Sequence, residues 1–265
     1  MPCSLPITPR RLAAALLTLP VGLGAVLASA QTAPLNDTGQ AQCYNAANAA
    51  APCDEATTGN GATHPGQDGR FGRDAAQAAG ALPAKTGGGA AGFDFTALDA
   101  GGNDTATGSH ACVKDNVTGL TWEVKQAGAN TDLRYTGHAY AWYDSSHPSN
   151  PGSQGANTCN GTLPGSLCNT QAYAAAVNAA GLCGQTGWRL PTRRELLSIA
   201  HNGAASAPSI DTTYFPDSQS NWAWWTSDTY EPVPAGAWIV YFYGGDSNAF
   251  SKALTYSVRL VRSGQ

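Results

Sequence analysis

The sequence predicts a disulfide-stabilised α+β domain, and three stretches carry that prediction. In Trp188-Arg189-Leu190-Pro191-Thr192-Arg193-Arg194-Glu195-Leu196-Leu197-Ser198-Ile199-Ala200, a short strand runs through a tight turn into a helix. Thr192 and Glu195 have the spacing of a capping box, in which the hydroxyl and carboxylate each satisfy the other residue's backbone N–H. Leu196, Ile199 and Ala200 share one helical face, with Leu197 beside them. Second, the C-terminal part carries three β-like runs, at 222–226, 238–243 and 257–262. Third, residues 112–125 read as a hairpin. There Leu120, Trp122 and Val124 alternate with polar residues after the turn Asn116-Val117-Thr118-Gly119.

In chain order, residues 1–30 have the pattern of a secretory signal: Arg10 and Arg11, an apolar run, then Ala28-Ser29-Ala30 before Gln31. The run contains Pro20, Gly22 and Gly24, which makes it a poor membrane span, and no later stretch is long and apolar enough for one. Residues 31–109 are rich in Ala, Gly, Asn, Asp and Thr. They hold none of the seven Trp and one of the ten Tyr. So few large apolar groups offset little ordering entropy, so the segment reads as an extended or partly disordered lead-in. Phe93 and Phe95 flank Asp94 and can begin an edge strand. From 110 to 265 the aromatic content marks a globular domain large enough for its own core. Within it, Tyr140 to Tyr143 is a short strand or turn, and 144–168 is a Ser/Asn/Gly/Pro loop. Thr170 caps a helix through about Ala180, with Tyr173, Ala176, Val177 and Ala180 on one face and Gly181 as its stop. Gly244-Gly245-Asp246 turns between the last two strands. The N- and C-terminal strands of the domain are expected to pair.

Six cysteines remain after the signal, an even number that suits disulfides in an exported chain. The reading favours two local loops, Cys43–Cys53 and Cys159–Cys168, and a long tie, Cys112–Cys183. No C-x-x-C pair occurs and His110 is the sole His close to a Cys, so no zinc site is expected. Residues 110–265 carry nine basic and ten acidic groups, the opposite of a nucleic-acid footprint.

Six motifs now appear in order. They are Asp115-Asn116-Val117-Thr118-Gly119-Leu120-Thr121-Trp122-Glu123, Gly181-Leu182-Cys183-Gly184, the Trp188 to Leu197 stretch, Ile210-Asp211-x-x-Tyr214-Phe215-Pro216, Trp225-Thr226-Ser227 and Val258-Arg259-Leu260-Val261-Arg262. The set closely resembles the Lcl C-terminal domain family, long a domain of unknown function and named for a bacterial collagen-like adhesin. The match covers about 110–263. Thr38-Gly39-Gln40, Cys43-Tyr44 and Pro52-Cys53 are similar to the lead-in of exported members. The Arg189 to Glu195 core also resembles formylglycine-generating-enzyme-like proteins, whose fold is related to C-type lectins. Those enzymes hold copper with a late cysteine pair, and here no cysteine follows Cys183. The resemblance therefore implies a C-type-lectin-like fold and a non-catalytic, adhesin-like module of the cell envelope that recognises a glycan or a protein surface; the alternatives are an envelope enzyme of unknown type and a purely structural envelope component, trimeric like the adhesin domain. The near-neutral charge argues against sulfated ligands.

Candidate residues follow. Trp222 and Trp224 share a strand face and can be core or an exposed platform for sugar stacking. Arg193 and Arg194 sit in a first helical turn, where the dipole disfavours cations, which hints at binding. Tyr243 and Asp246 flank the C-terminal turn. Asp217, Asp228 and Asp246 with Asn248 are candidates for calcium, without a spaced carboxylate motif. Glu195 and Thr192 read as capping groups. Arg189 and Arg259 read as structural partners of Glu123, Glu195 or Asp211. No G-x-S-x-G occurs, and His138, His147 and His201 lack a nearby nucleophile signature, so no catalytic residue is assigned.

Overall fold

Strand and helix signals along the chain resolve into fifteen described elements. The structure, a computed structural model, describes residues 36–45, 47, 49–51, 53, 66–218 and 223–263. In order they are β1 (Cys43–Tyr44), β2 (Ala50–Ala51), α1 (Asp68–Phe71), α2 (Arg73–Ala78), β3 (Phe95–Leu98), β4 (Cys112–Asp115), β5 (Leu120–Glu123), β6 (Tyr140–Ala141), α3 (Thr170–Ala180), α4 (Arg193–Leu197), β7 (Ala223–Thr229), β8 (Gly236–Tyr241), β9 (Asp246–Ser251), β10 (Thr255–Tyr256) and β11 (Val261–Ser263). The fold is α+β with antiparallel sheets. The expected signal segment lies outside the described residues.

Two sheets set the architecture, one ordered β11-β5-β4-β3 and the other β7-β8-β9. Their central strands, β4 with β5 and β8, are covered on two faces. Strand alternation sends Trp225, Ala237 and Ile239 into one core, where α3 contributes Tyr173 and Val177. It sends Trp224, Val240 and Phe242 into the other, where Leu196, Ile199 and Ala200 of the capped segment pack with Phe215. The first sheet divides in the same way, with Cys112 in one core and Val113, Trp122 and Val261 in the other. The domain's ends meet as expected, since Val261 of β11 pairs with Trp122 of β5.

Burial on both faces changes the reading of β5. The polar positions that alternate with Trp122 do not face water: Glu123 is fully buried and Lys125 nearly so. They are accommodated by a network. Lys125 Nζ lies 3.0 Å from the Glu123 carboxylate and donates to the Tyr173 hydroxyl at 2.6 Å. That hydroxyl donates to Glu123, and the other Glu123 oxygen accepts the Leu260 N–H at 2.9 Å. Arg259 donates to the Glu123 carbonyl at 3.0 Å and to Ser218 Oγ at 2.8 Å. Burial lowers the Lys125 ammonium to about 8, against the opposing pull of Glu123.

Several elements differ from expectation in detail. The lead-in is not separate from the domain over its described part. Phe93 and Phe95 are fully buried in the second core, and β3 pairs with β4 along its length. Asn202 N–H donates to the Thr38 carbonyl, and Ala90 N–H to Asp211. A few buried aromatics and carboxylates that cap backbone turns thus do the anchoring that composition hides. The cap of α3 is Asn169, whose Oδ1 accepts from Ala172 N–H at 2.8 Å, and Thr170 is the first helical residue. Gly181 closes α3 at φ +63°, the left-handed conformation glycine adopts freely. The turn at Gly244-Gly245 leads from β8 into β9, a strand whose polar sequence Asp-Ser-Asn-Ala-Phe-Ser carries no apolar run. Disulfides join Cys43 to Cys53, Cys112 to Cys183 and Cys159 to Cys168. Among the described residues no helix is long and apolar enough to cross a membrane.

The segment at Thr192 forms the full capping box. Glu195 N–H donates to Thr192 Oγ1 at 3.2 Å and the Thr192 N–H to Glu195 Oε2 at 2.7 Å. Arg189 adds a two-point grip on the same carboxylate at 2.8 and 2.6 Å. Burial opposes ionisation of Glu195, but the bonds from Arg189 and Thr192 outweigh it and hold the carboxyl below its ordinary range. Replacing Glu195 with Ala removes the cap and leaves Arg189 without its partner. Urea unfolding should show a loss of about 1–3 kcal/mol. Lys125 generates a pH signature. Between about pH 8 and its ordinary value near 10.5, the unfolded chain holds the Lys125 proton and the folded chain does not. Stability should therefore rise from pH 8 to 9.5, by up to ~1.4 kcal/mol per unit. The double variant Lys125→Met/Glu123→Gln, which removes both members of the ion pair, should flatten that slope in the same urea titrations.

Candidate functional site

The sequence candidates occupy three kinds of place. Trp222 lies outside the described residues. Trp224 is fully buried, with its ring 6.0 Å from that of Phe242 and the Arg259 guanidinium 4.8 Å from its centroid. It is a core residue and not a surface platform, because β7 is covered on both faces. Arg259 is likewise enclosed, stacked also on Phe215 at 4.6 Å, and burial lowers it to about 10. Its partners are a carbonyl and a hydroxyl; the carboxylate paired with Arg189 is Glu195.

Arg193 is half-buried at the start of α4. Its guanidinium lies 4.0 Å from the Trp238 ring centroid, and its N–H donates to Asp228 Oδ2 at 2.7 Å. That stacking gives the cation a favourable position despite the helix dipole. Arg194 is exposed on the same turn. Tyr243 is 64 % exposed, and Asp246 opens β9. None of these residues lines the cleft described next. Asp217, Asp228 and Asp246 do not come together as a calcium site. Among the described residues no group of three or more His, Cys, Asp or Glu side chains is placed to hold a metal.

The cleft forms elsewhere, between the start of α3, the segment after β6 and the strand-like stretch leading to Thr192. It has a volume of about 480 Å³. Trp142, Tyr143 and Trp188 provide aromatic surface, Ala174 and Leu190 aliphatic surface, and Asp144, Gln171, Arg189 and Ser227 polar groups. Each wall is fixed from behind. Trp142 Nε1 donates to the Thr226 carbonyl at 2.8 Å, and Lys252 Nζ sits 3.9 Å from its ring centroid. The Tyr143 backbone is clamped by Thr170 Oγ1, which accepts its N–H at 2.9 Å and donates to its carbonyl at 2.8 Å. Gln171 pairs with Ser145 through backbone and side chain at 2.8 and 3.0 Å. Asn178 of α3 holds the Trp188 N–H and carbonyl at 2.9 and 2.8 Å.

The electrostatics of this cleft are muted. Arg189 spends its charge on Glu195, which raises the guanidinium further above its ordinary value. Asp144 is held below the usual carboxylate range, first by the Ser146 hydroxyl, which donates at 2.6 Å. Beside it, His147 Nε2 meets Thr229 Oγ1 at 2.9 Å. His147 Nδ1 faces the Asn150 N–H at 3.3 Å and Ser149 Oγ at 3.5 Å.

Sequence reasoning singled out Arg189 and Thr192 for structural roles and did not single out Trp142, Tyr143, Asp144 or Gln171 for the cleft. The available signal was an aromatic pair followed by Asp at the entrance of a long polar loop. What it lacked was the return of the chain through α3, which makes the opposite wall.

With this geometry in place, comparison with known proteins adds the following. Neither a curated protein nor a solved structure matches the chain. A family profile described as the Lcl C-terminal domain matches residues 111–262, more than half of the chain, and covers the cleft, both sheets except β3, and the capped segment. The chain belongs to the Lcl C-terminal domain family.

Proposed function

We propose that this protein is an exported, non-catalytic binding module of a bacterial envelope or surface, and that the cleft beside α3 holds part of a glycan or of a protein surface. The observation that carries this reading is the cleft itself: aromatic surface rimmed by hydroxyl, amide and carboxylate groups, with its cation already neutralised. Such a surface suits a ligand with an apolar face and hydroxyl groups, which stacks on rings and bonds at the rim. Three disulfides support an oxidising destination, periplasm, cell surface or medium. No cofactor is required by this role, and calcium enters only as a variable of the test. The muted charge favours uncharged over sulfated ligands, because counterion-driven binding needs unpaired cations.

The test is a glycan array probed with the full chain, in calcium and again in chelator. Binding of uncharged glycans, weakened roughly tenfold or more by Tyr143→Ala, which removes ~1–2 kcal/mol of stacking, is the expected outcome. Arrays blank under both conditions sink the glycan reading and leave a protein ligand, checked by repeating the Tyr143→Ala comparison on captured envelope proteins. Ligand binding that is indifferent to Tyr143 removes the cleft from the reading altogether.

A further inference from the structure

The polar groups that line the cleft differ in what they still have to offer a ligand. Most of them are engaged within the chain. Both terminal nitrogens of Arg189 lie on the Glu195 carboxylate, so its charge is met. Thr192 Oγ1 accepts the Glu195 N–H and donates to Glu195 Oε2. Thr170 Oγ1 accepts from and donates to the Tyr143 backbone. The Gln171 amide does the same with Ser145.

Three oxygens of the lining are left. Asp144 Oδ1 accepts the Ser146 N–H at 2.9 Å and the Ser146 hydroxyl at 2.6 Å, whereas Asp144 Oδ2 accepts from no described residue. Ser227 is exposed, and its hydroxyl bonds to no described residue. The Tyr143 hydroxyl has one long contact, from Gln154 Nε2 at 3.4 Å. Asp144 also has no ion-pair partner among the described residues. The two cations that pull on it are His147 and Lys252, and neither lines the cleft. Lys252 Nζ sits against the Trp142 ring and donates to the Asn150 carbonyl at 2.8 Å, and His147 Nε2 meets Thr229. The cleft therefore presents one unpaired carboxylate oxygen and two hydroxyls beside aromatic surface, with its own cation already matched.

We propose that the glycan held here carries a free amine: a hexosamine without an acetyl group, its ammonium on Asp144 Oδ2 and the apolar face of its ring on Tyr143. This inference rests on the cleft being the binding site, as proposed above. An ionised carboxylate only accepts and an ammonium only donates, so the two are matched in charge and in role. The resulting bond is about twice as strong as the neutral one that a sugar hydroxyl would make at the same oxygen. A sulfated sugar would instead meet like charge. The amine sits on a sugar frame because the hydroxyls of Tyr143 and Ser227 remain for the hydroxyls of the ring, which a lysine side chain lacks. The volume of about 480 Å³ is within the range of small-ligand sites.

The test is an array of matched oligomers of glucosamine, N-acetylglucosamine and glucose, with their galacto counterparts, probed with the full chain. At about pH 6 amines are protonated and carboxylates ionised. In ~50 mM salt the wild type should bind the amine oligomers about tenfold tighter than the acetylated or neutral ones, and ~0.5 M salt should narrow that gap several-fold. Asp144→Asn keeps an acceptor for Ser146 and should bring the amine oligomers down to the neutral level, whereas Asp144→Glu should retain part of the preference. Tyr143→Ala should weaken binding of all of them. Equal binding of amine and neutral oligomers, or a preference that Asp144→Asn does not move, overturns the amine assignment; if that binding still depends on Tyr143, the cleft remains a glycan site. Binding to none of these oligomers also overturns it, and the wider glycan array then decides the glycan reading by itself. Free lysine that competes as well as free glucosamine overturns the sugar frame.

Discussion

The carboxylate of Glu123 is the constraint on which the rest of the molecule depends. It lies in the interior on β5 and bonds, directly or through one neighbour, to Tyr173 of α3, to Lys125 and to the backbone leading into β11. Removing one partner of such a buried charge strands the others, at a cost of about 3–5 kcal/mol, whereas the intact group adds little net stability. Its main effect is on geometry. β5 must lie against α3 in one register, and the C-terminal strand must return to β5 at one height, because a shift by one residue leaves the carboxylate without its N–H. Everything that builds the cleft hangs from α3 and from the Trp188 stretch, which bonds to Val261. Both are fixed by this network.

Much of the fold was legible because local signals were strong. Thr192 and Glu195 announced the cap three residues apart, Gly181 marked a stop, and the hairpin at 112–123 had both its turn and its alternation. The sequence reading also chose the cysteine pairs that the structure forms, from the principle that near neighbours close local loops. What failed did so for physical reasons. Glu123 and Lys125 look like a solvent face because alternation cannot tell water from a buried polar network. β9 was passed over because an edge strand needs no apolar run; its backbone and its partner strand hold it in place. Phe93 and Phe95 were legible as the start of an edge strand, but the rest of 31–109 was read from average composition, which conceals how much a few turn-capping aspartates can anchor.

The candidate site was less legible than the fold, and the two failures have different sources. Trp224 was read from a local aromatic cluster, without knowing that β7 is covered on both sides. Tyr143 and Gln171 were missed because a cleft joins residues distant in sequence, which no motif in either segment records. Arg189 illustrates the middle case. Its pairing with the cap was foreseeable from spacing, but its place on the rim of a cleft was not.

The loop between the two cleft walls is tethered at its far end. Tyr143 and Ser145 are bonded to Thr170 and Gln171, and Cys159–Cys168 closes the chain just before α3. Both walls are therefore held by bonds within the chain itself. The intervening loop is bonded back to the wall it leaves, with the Asp144 N–H donating to the Pro151 carbonyl and the Ser153 N–H to the Trp142 carbonyl, each at 2.9 Å. A change of length in this loop therefore shifts the Trp142 wall together with the rim.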